Sequence, residues 1–254
     1  MTPKIPFISP DWPAPASVFA LCTTREGGVS PPPYDSFNIA HHVGDEPRAV
    51  AANRSLLAAD LPPGNRVQWL EQVHGVQVVQ APVVQGDACP VADAAWTAVP
   101  GVACTVMTAD CLPVLFCSID GARVAAAHAG WRGLHAGVLE ATVRAMGVDA
   151  GRLMAWLGPA IGPDAFEVGP EVREAFLAWA DGSPRVAACF ASSGRPGHYL
   201  ADLYALARYR LDALGITQVY GGNYCTFSDS DRFYSYRRDG QTGRMASLVM
   251  IRPA

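Results

Sequence analysis

Apolar residues along this chain of 254 residues fall mainly into short runs bounded by Gly, Pro or Asp. Residues 17–24 (SVFALCTT), 67–73 (VQWLEQV), 76–79 (VQVV), 102–107 (VACTVM), 113–119 (PVLFCSI) and 123–129 (RVAAAHA) carry the β-branched and apolar content of strands. Residues 152–158 (RLMAWLG), 217–222 (TQVYGG) and 245–251 (MASLVMI) read the same way. Helical spacing of apolar positions predicts helices over 46–60, 134–146, 170–181 and 200–214, the first closed by LPPG and the third opened by a proline. Strands and helices intermix without clean βαβ alternation, and neither a repeat nor a linker divides them. The pattern therefore predicts one α+β (mixed α/β) domain over 1–254, a layered sandwich of mixed β-sheets flanked by helices, with residues 1–16 as an extended, Pro-rich lead-in.

Composition narrows the chemistry. A net charge of −4 supplies no basic field for a polyanion, so nucleic acid and an anionic membrane are poor partners and small molecules better ones. Lys4 is the single lysine among 19 basic residues and sits in the Pro-rich lead-in, which leaves no credible Schiff-base or Walker-type lysine. An anion must be held by arginine and backbone amides. Seven cysteines lack the spacing of a secreted disulfide framework and are expected to be reduced. With no signal-like segment and no run of 18 apolar residues, the expected location is cytoplasmic.

Three segments place a metal-binding or nucleophilic side chain at a strand end beside a small residue: QVHG (72–75), TADC (108–111) and HAGWRG (128–133). Two imidazoles and a thiolate from His74, Cys111 and His128 would suit zinc, and three protein ligands leave the fourth tetrahedral position open for catalysis. The three stretches lie too far apart in sequence to form a short zinc signature. Taken by residue type and spacing alone, the plainer reading is a hydrogen-bonded core histidine and two unrelated residues.

The strings TTREGGVS (23–30), NIAHHVGD (38–45), QVHG, ADAAWT (92–97), TADCLPV (108–114), HAGWRG, LGPAIG (157–162), CT (225–226) and SYRRDGQTGR (235–244) occur in that order. In this the chain resembles the YfiH family, whose members carry the labels polyphenol oxidase and laccase-domain protein and are described as purine nucleoside phosphorylases with adenosine deaminase activity. The resemblance implies a fold like that of cytotoxic necrotizing factor and a zinc held by His74, Cys111 and His128. It also implies phosphorolysis of adenosine, inosine and methylthioadenosine, with a purine nucleoside and phosphate as partners. The chain is expected to be a monomer.

Deamination needs a proton shuttle, for which Asp110 and Asp93 are candidates, each with a turn or cap role as the plain alternative. Phosphorolysis needs anion donors. Arg25 with the amides of Gly27 and Gly28 resembles a cradle, and Arg132, Arg237 and Arg238 are further candidates, whereas Arg48 and Arg54 read as surface charges. Trp131, Phe233 and Tyr236 are candidates for stacking on a purine, and His42, beside His41, for reaching it. His135 and His198 are expected to be structural or exposed, and the direction of Trp96 is open. Cys111, His128, Asp110 and Arg132 make up the expected catalytic set. Three rival readings stand beside it: a copper-dependent, laccase-like polyphenol oxidase at the same ligands with Met107 nearby; a hydrolase with Cys111 as nucleophile and His128 as base; and a non-enzymatic metal-binding partner protein.

Overall fold

The computed structural model describes residues 5–83 and 89–253; Lys4 lies outside them. In chain order the elements are β1 (Phe7–Ile8), β2 (Val18–Thr23), α1 (Pro47–Asp60), β3 (Arg66–Gln68), β4 (Val78–Gln80), β5 (Ala94–Thr97), β6 (Val102–Thr108), β7 (Leu112–Ser118) and β8 (Val124–Ala129). They continue with α2 (Trp131–Ala136), α3 (Val138–Met146), β9 (Leu153–Leu157), β10 (Glu167–Val168), α4 (Pro170–Trp179), α5 (Pro184–Ala187), β11 (Phe190–Ser192) and β12 (Tyr199–Ala201). The last are α6 (Leu203–Ala213), β13 (Gln218–Gly221), α7 (Tyr236–Asp239) and β14 (Met245–Ile251).

Two mixed sheets carry the fold. One has the order β1-β2-β14-β6-β3 and the other β13-β9-β7-β8-β5-β4, with β3·β6, β4·β5 and β9·β13 parallel and the remaining pairs antiparallel. The uninterrupted apolar runs of β6, β7, β8 and β14 have a physical reason: every residue in them is buried, because each sheet is covered on both faces. Alternate side chains sort into layers. Cys104, Val106, Val249, Leu115, Cys117, Val124 and Ala126 fill the space between the sheets. Leu112, Val114, Phe116, Ala125 and Ala127 face α2–α6 on one outside, while Ala103, Met107, Leu248 and Met250 face Leu57 of α1 on the other. The result is a helix–sheet–sheet–helix sandwich, as the sequence pattern predicts. A third, three-stranded sheet, β10-β12-β11, lies outside the two.

The differences from the sequence pattern are local. The expected helix over 134–146 starts earlier and is broken in two by Gly137, whose φ of 99° ends α2 and precedes α3. The expected helix over 200–214 begins only at Leu203, where Asp202 caps it by accepting the Ala205 N–H; residues before it pair as β12. The expected strand over 67–73 is cut to β3, because the chain leaves the sheet after Gln68 to present His74. The lead-in is anchored, with β1 paired to β2 and Asp11 accepting the Trp156 indole N–H at 2.9 Å. All seven cysteines are free thiols, and no helix among the described residues is long and apolar enough to cross a membrane.

Candidate metal centre

Strand parity brings two of the three ligand candidates together. In β8, Val124 and Ala126 point between the sheets, so His128 does also; in β7, Leu115 and Cys117 do, and Cys111 shares their parity just before the strand. Antiparallel pairing sets Pro113 opposite His128, which leaves Cys111 diagonal to it across the β7·β8 ladder. The third ligand candidate comes from the excursion after β3, and two contacts steer it. Gln72 clamps the backbone of Met107, accepting its N–H at 2.7 Å and donating to its carbonyl at 2.9 Å. Asp93, fully buried, accepts the successive N–H groups of Val73, His74 and Gly75 at 3.2, 2.9 and 2.6 Å. Such a run of amides is an anion-binding nest, here filled by the chain's own carboxylate.

The same Asp93 lies 2.8 Å from His128 Nδ1. A donor hydrogen on Nδ1 leaves the Nε2 lone pair free for a metal, the carboxylate–histidine arrangement that orients metal-ligating imidazoles. One buried carboxylate therefore fixes both histidine-bearing segments. Ligand atoms of His74, Cys111 and His128 all lie within 4.8 Å of one another, with His128 buried, Cys111 half-buried and His74 exposed. Gly130 completes the space: a Cβ there would lie 2.8 Å from Cys111 Sγ and 3.2 Å from the His74 ring. Burial pushes the Cys111 thiol up, but the adjacent His128 and His74 outweigh it and bring it well below the usual thiol range. Burial likewise lowers His128, and Cys111 and Asp93 more than reverse this. The donor set, its spacing and the oriented imidazole fit a metal ion.

A cavity of about 230 Å³ opens beside these three residues, walled also by His42, Gln72, Met107, Thr108, Tyr236 and Arg244. No carboxylate among the described residues lines it.

A family model described as "Multi-copper polyphenol oxidoreductase laccase" matches residues 19–252. A purine nucleoside phosphorylase of Pseudomonas aeruginosa is 60% identical over 247 residues, covering 96% of this chain and 98% of the relative. The purine nucleoside phosphorylase YfiH of Escherichia coli is 52% identical over 248 residues, with 96% and 98% covered. The chain belongs to the YfiH family. A Neisseria meningitidis crystal structure of the DUF152 family superposes with a TM-score of 0.92 at 51% identity, covering 97% of this chain and 99% of that one. YlmD from Geobacillus stearothermophilus superposes at 0.87 with 32% identity, covering 94% and 93%.

The other YfiH motifs divide sharply between cavity and scaffold. His42 and Tyr236 line the cavity. Asp110 does not: its carboxylate accepts the Thr226 hydroxyl at 2.6 Å and the Arg237 backbone N–H at 2.7 Å, so it pins two loops together. Arg237 reaches the Glu167 carbonyl, and Arg238 the carbonyls of Thr226, Phe227 and Phe233. Arg132 is exposed, with its guanidinium 4.6 Å from the Trp131 ring.

Arg25 and Gly27 line a separate cleft, with Gly28 packed behind it against Ser36. Arg25 donates to the Asp35 carbonyl and carboxylate and to the Ser230 carbonyl, and the Gly28 N–H donates to Ser36 Oγ at 3.1 Å. A Cβ at Gly28 would come within 2.1 Å of the Ser36 carbonyl oxygen, so the glycine serves close packing of the loop. Glu26, Asp35 and Asp231 line this cleft beside Arg25, a poor setting for an anion.

Of the aromatic candidates, Phe233 is core, Trp131 packs against the helical layer, and Trp96 faces that layer too, under Arg123. His135 approaches the Ala175 carbonyl and the Phe176 ring, while His198 is half-buried, its Nδ1 beside the Pro196 carbonyl. Arg54 is not a free surface charge, because its guanidinium stacks 3.9 Å from the centre of the Trp69 ring and donates to the Ile39 carbonyl. The wall residues Gln72, Thr108 and Arg244 escape a reading of the sequence by residue type. Their signal is position, inside QVHG, before ADC and at the end of QTGR.

Proposed function

We propose that this chain is a zinc-dependent purine nucleoside enzyme. It cleaves adenosine, inosine and methylthioadenosine with phosphate and also deaminates adenosine, with His74, Cys111 and His128 as the metal ligands. The observation that carries the reading is the convergence of those three donors at the wall of a cavity that holds an arginine, an imidazole and a phenol and, among the described residues, no carboxylate. The names of the Pseudomonas and Escherichia relatives support the nucleoside class. In phosphorolysis the C1′–N9 bond breaks as an oxygen of hydrogen phosphate bonds C1′ and the phosphate's proton passes to the purine, releasing the free base with ribose 1-phosphate, or with 5-methylthioribose 1-phosphate from methylthioadenosine. In deamination water replaces the 6-amino group and ammonia leaves.

When bound, the metal supplies Lewis acidity at the position its three protein ligands leave open. Asp93 keeps His128 in the tautomer that ligation requires. Tyr236, 62% exposed at the cavity mouth, offers a ring for the purine to stack on. With Asp110 engaged elsewhere, His42 is an imidazole of the wall not committed to the metal. Burial and the charges of Arg244 and Arg54 push it below the ordinary value, so it is neutral at physiological pH and able to exchange a proton with the base. The reading extends to one catalytic domain acting as a monomer in the cytoplasm.

Chromatography of the products from adenosine, with and without phosphate, tests the reading. Adenine with ribose 1-phosphate only when phosphate is present, and inosine in either case, is the expected result; intact adenosine in both contradicts it. A second reading has its own support. Cys111, His128 and Asp93 form a nucleophile–base–carboxylate series, and a Cys–His hydrolase would use it without metal. That enzyme would be inactivated by alkylation and indifferent to chelators. His74 has no part in it, which favours the metal reading. The donor set admits copper as well as zinc, but a multicopper cluster needs more imidazoles than the six this chain has, two of which lie outside the cavity region at His135 and His198.

A further inference from the structure

The cavity beside the metal ligands continues outward into a vestibule of about 510 Å³ lined by His42, Val43, Tyr236, Gln241, Thr242 and Arg244. His42, Tyr236 and Arg244 belong to both walls and mark the junction. We propose that Arg244, together with the hydroxyls of Thr242 and Thr108, forms the phosphate subsite of this cleft. The proposal rests on the nucleoside reading and names the residues that hold its second substrate.

Arg244 is fixed from behind. Its backbone N–H donates to Asn38 Oδ1 at 2.9 Å, and Nη1 donates to the Thr242 and Gly243 carbonyls, both at 2.9 Å. Nε and Nη2 have no partner among the described residues, which leaves two guanidinium donors for a bidentate contact with an oxyanion. Asn38 is itself fully buried and held by Asp45 and Ala40, so the guanidinium sits on a rigid mount. Gln241 adds to it by donating to the Tyr34 hydroxyl, which in turn donates to the Val43 carbonyl and ties this loop to the turn that carries His42.

The threonines supply the independent observation. Thr108, on the inner wall, and Thr242, on the vestibule wall, are each 1% exposed, and neither hydroxyl has a hydrogen-bond partner among the described residues. A buried hydroxyl left unpaired costs roughly 1–3 kcal/mol, a cost removed when a ligand accepts its hydrogen. Pairing of Thr108 with Met245, the residue after Arg244, holds the inner hydroxyl beside the guanidinium segment. Neither wall contains an Asp or Glu among the described residues, and the nearest negative groups, Cys111 and Asp110, act on the Arg244 charge from beside it.

Binding of inorganic phosphate to the metal-loaded protein, measured by titration calorimetry, tests the subsite, paired with initial rates at varied phosphate and varied nucleoside. Arg244→Gln is expected to raise both the phosphate Kd and the phosphate KM at least about tenfold, equivalent to about 1.4 kcal/mol, while the nucleoside KM changes far less. Arg244→Lys should recover part of the loss. Thr242→Val guards against a folding artefact: removing an unpaired buried hydroxyl should leave thermal stability equal or higher yet weaken phosphate binding. Phosphate affinity unchanged in Arg244→Gln and Thr242→Val, or a nucleoside KM that rises as much as the phosphate KM, overturns the subsite. If ribose 1-phosphate is still produced in that case, the phosphorylase reading survives. Phosphate binding that is lost in Arg244→Gln, in a protein that forms no ribose 1-phosphate, upholds the subsite and sinks the phosphorylase reading.

Discussion

Two clefts of this molecule carry family motifs rich in Gly, Arg and polar residues, and they differ in how their hydrogen-bonding capacity is spent. Around Arg25 the chain satisfies itself. The guanidinium, the Gly28 amide and the Ser36 hydroxyl are all engaged locally, and Asn53 and Asp45 extend the clip through Ser30 and Asn38. Around His74, Cys111 and His128 the backing groups are satisfied but the front is not. Asp93 and Gln72 are fully engaged, while the three donor atoms, two nitrogens of Arg244 and the Thr108 hydroxyl remain available to a ligand. A motif that builds a fold closes its own valences, and one that serves a ligand leaves them open on a rigid support.

The comparison breaks first at the ligands. Cys111→Ala should reduce nucleoside turnover more than about a hundredfold, beyond the usual effect of losing a supporting group, and full turnover in that variant would remove the metal from the mechanism. Next comes the support. Asp93→Asn should weaken metal binding about 10–100-fold and lower the melting temperature, because the nest amides and His128 lose a charged acceptor; competition with a chromogenic chelator reads the first effect and calorimetry the second. In the other cleft the balance should invert. Arg25→Gln is expected to lower stability by about 1–3 kcal/mol, seen in denaturant unfolding, with metal content and phosphate KM unaltered.

The smallest effect concerns protonation. With the metal stripped, Cys111 has a pKa lowered to about 6, so its thiolate, the form that alkylates, should predominate at neutral pH. Iodoacetamide should therefore modify Cys111 with a rate that falls only as pH drops through that value, while Cys111→Ser removes this phase and metal protects it. A midpoint in the ordinary thiol range would show that the two imidazoles do not act on the sulfur.

Much of the sandwich was legible because burial on both faces writes itself as unbroken apolar runs, as in VACTVM and MASLVMI. Short elements such as β5 and the β10–β12 sheet were not, since two to four residues carry too little periodicity. The QVHG excursion looked like strand for a related reason. Its apolar content is ordinary, and what bends it out is a carboxylate at Asp93, distant in sequence. At the site, residue chemistry pointed to His74, Cys111 and His128, but it could not separate a free arginine from an engaged one. Arg25, Arg237 and Arg238 stand in motifs as prominent as that of Arg244, and only the carbonyls around them reveal which guanidinium keeps donors to offer.

Metal analysis of the protein as purified, beside His74→Ala prepared identically, tests the central claim most directly. Close to one zinc per chain in the parent and a near-complete loss in the variant, with the fold retained by circular dichroism, is the predicted result. Equal metal content in the two proteins, or a metal-free parent that turns over nucleoside at the full rate, would contradict it.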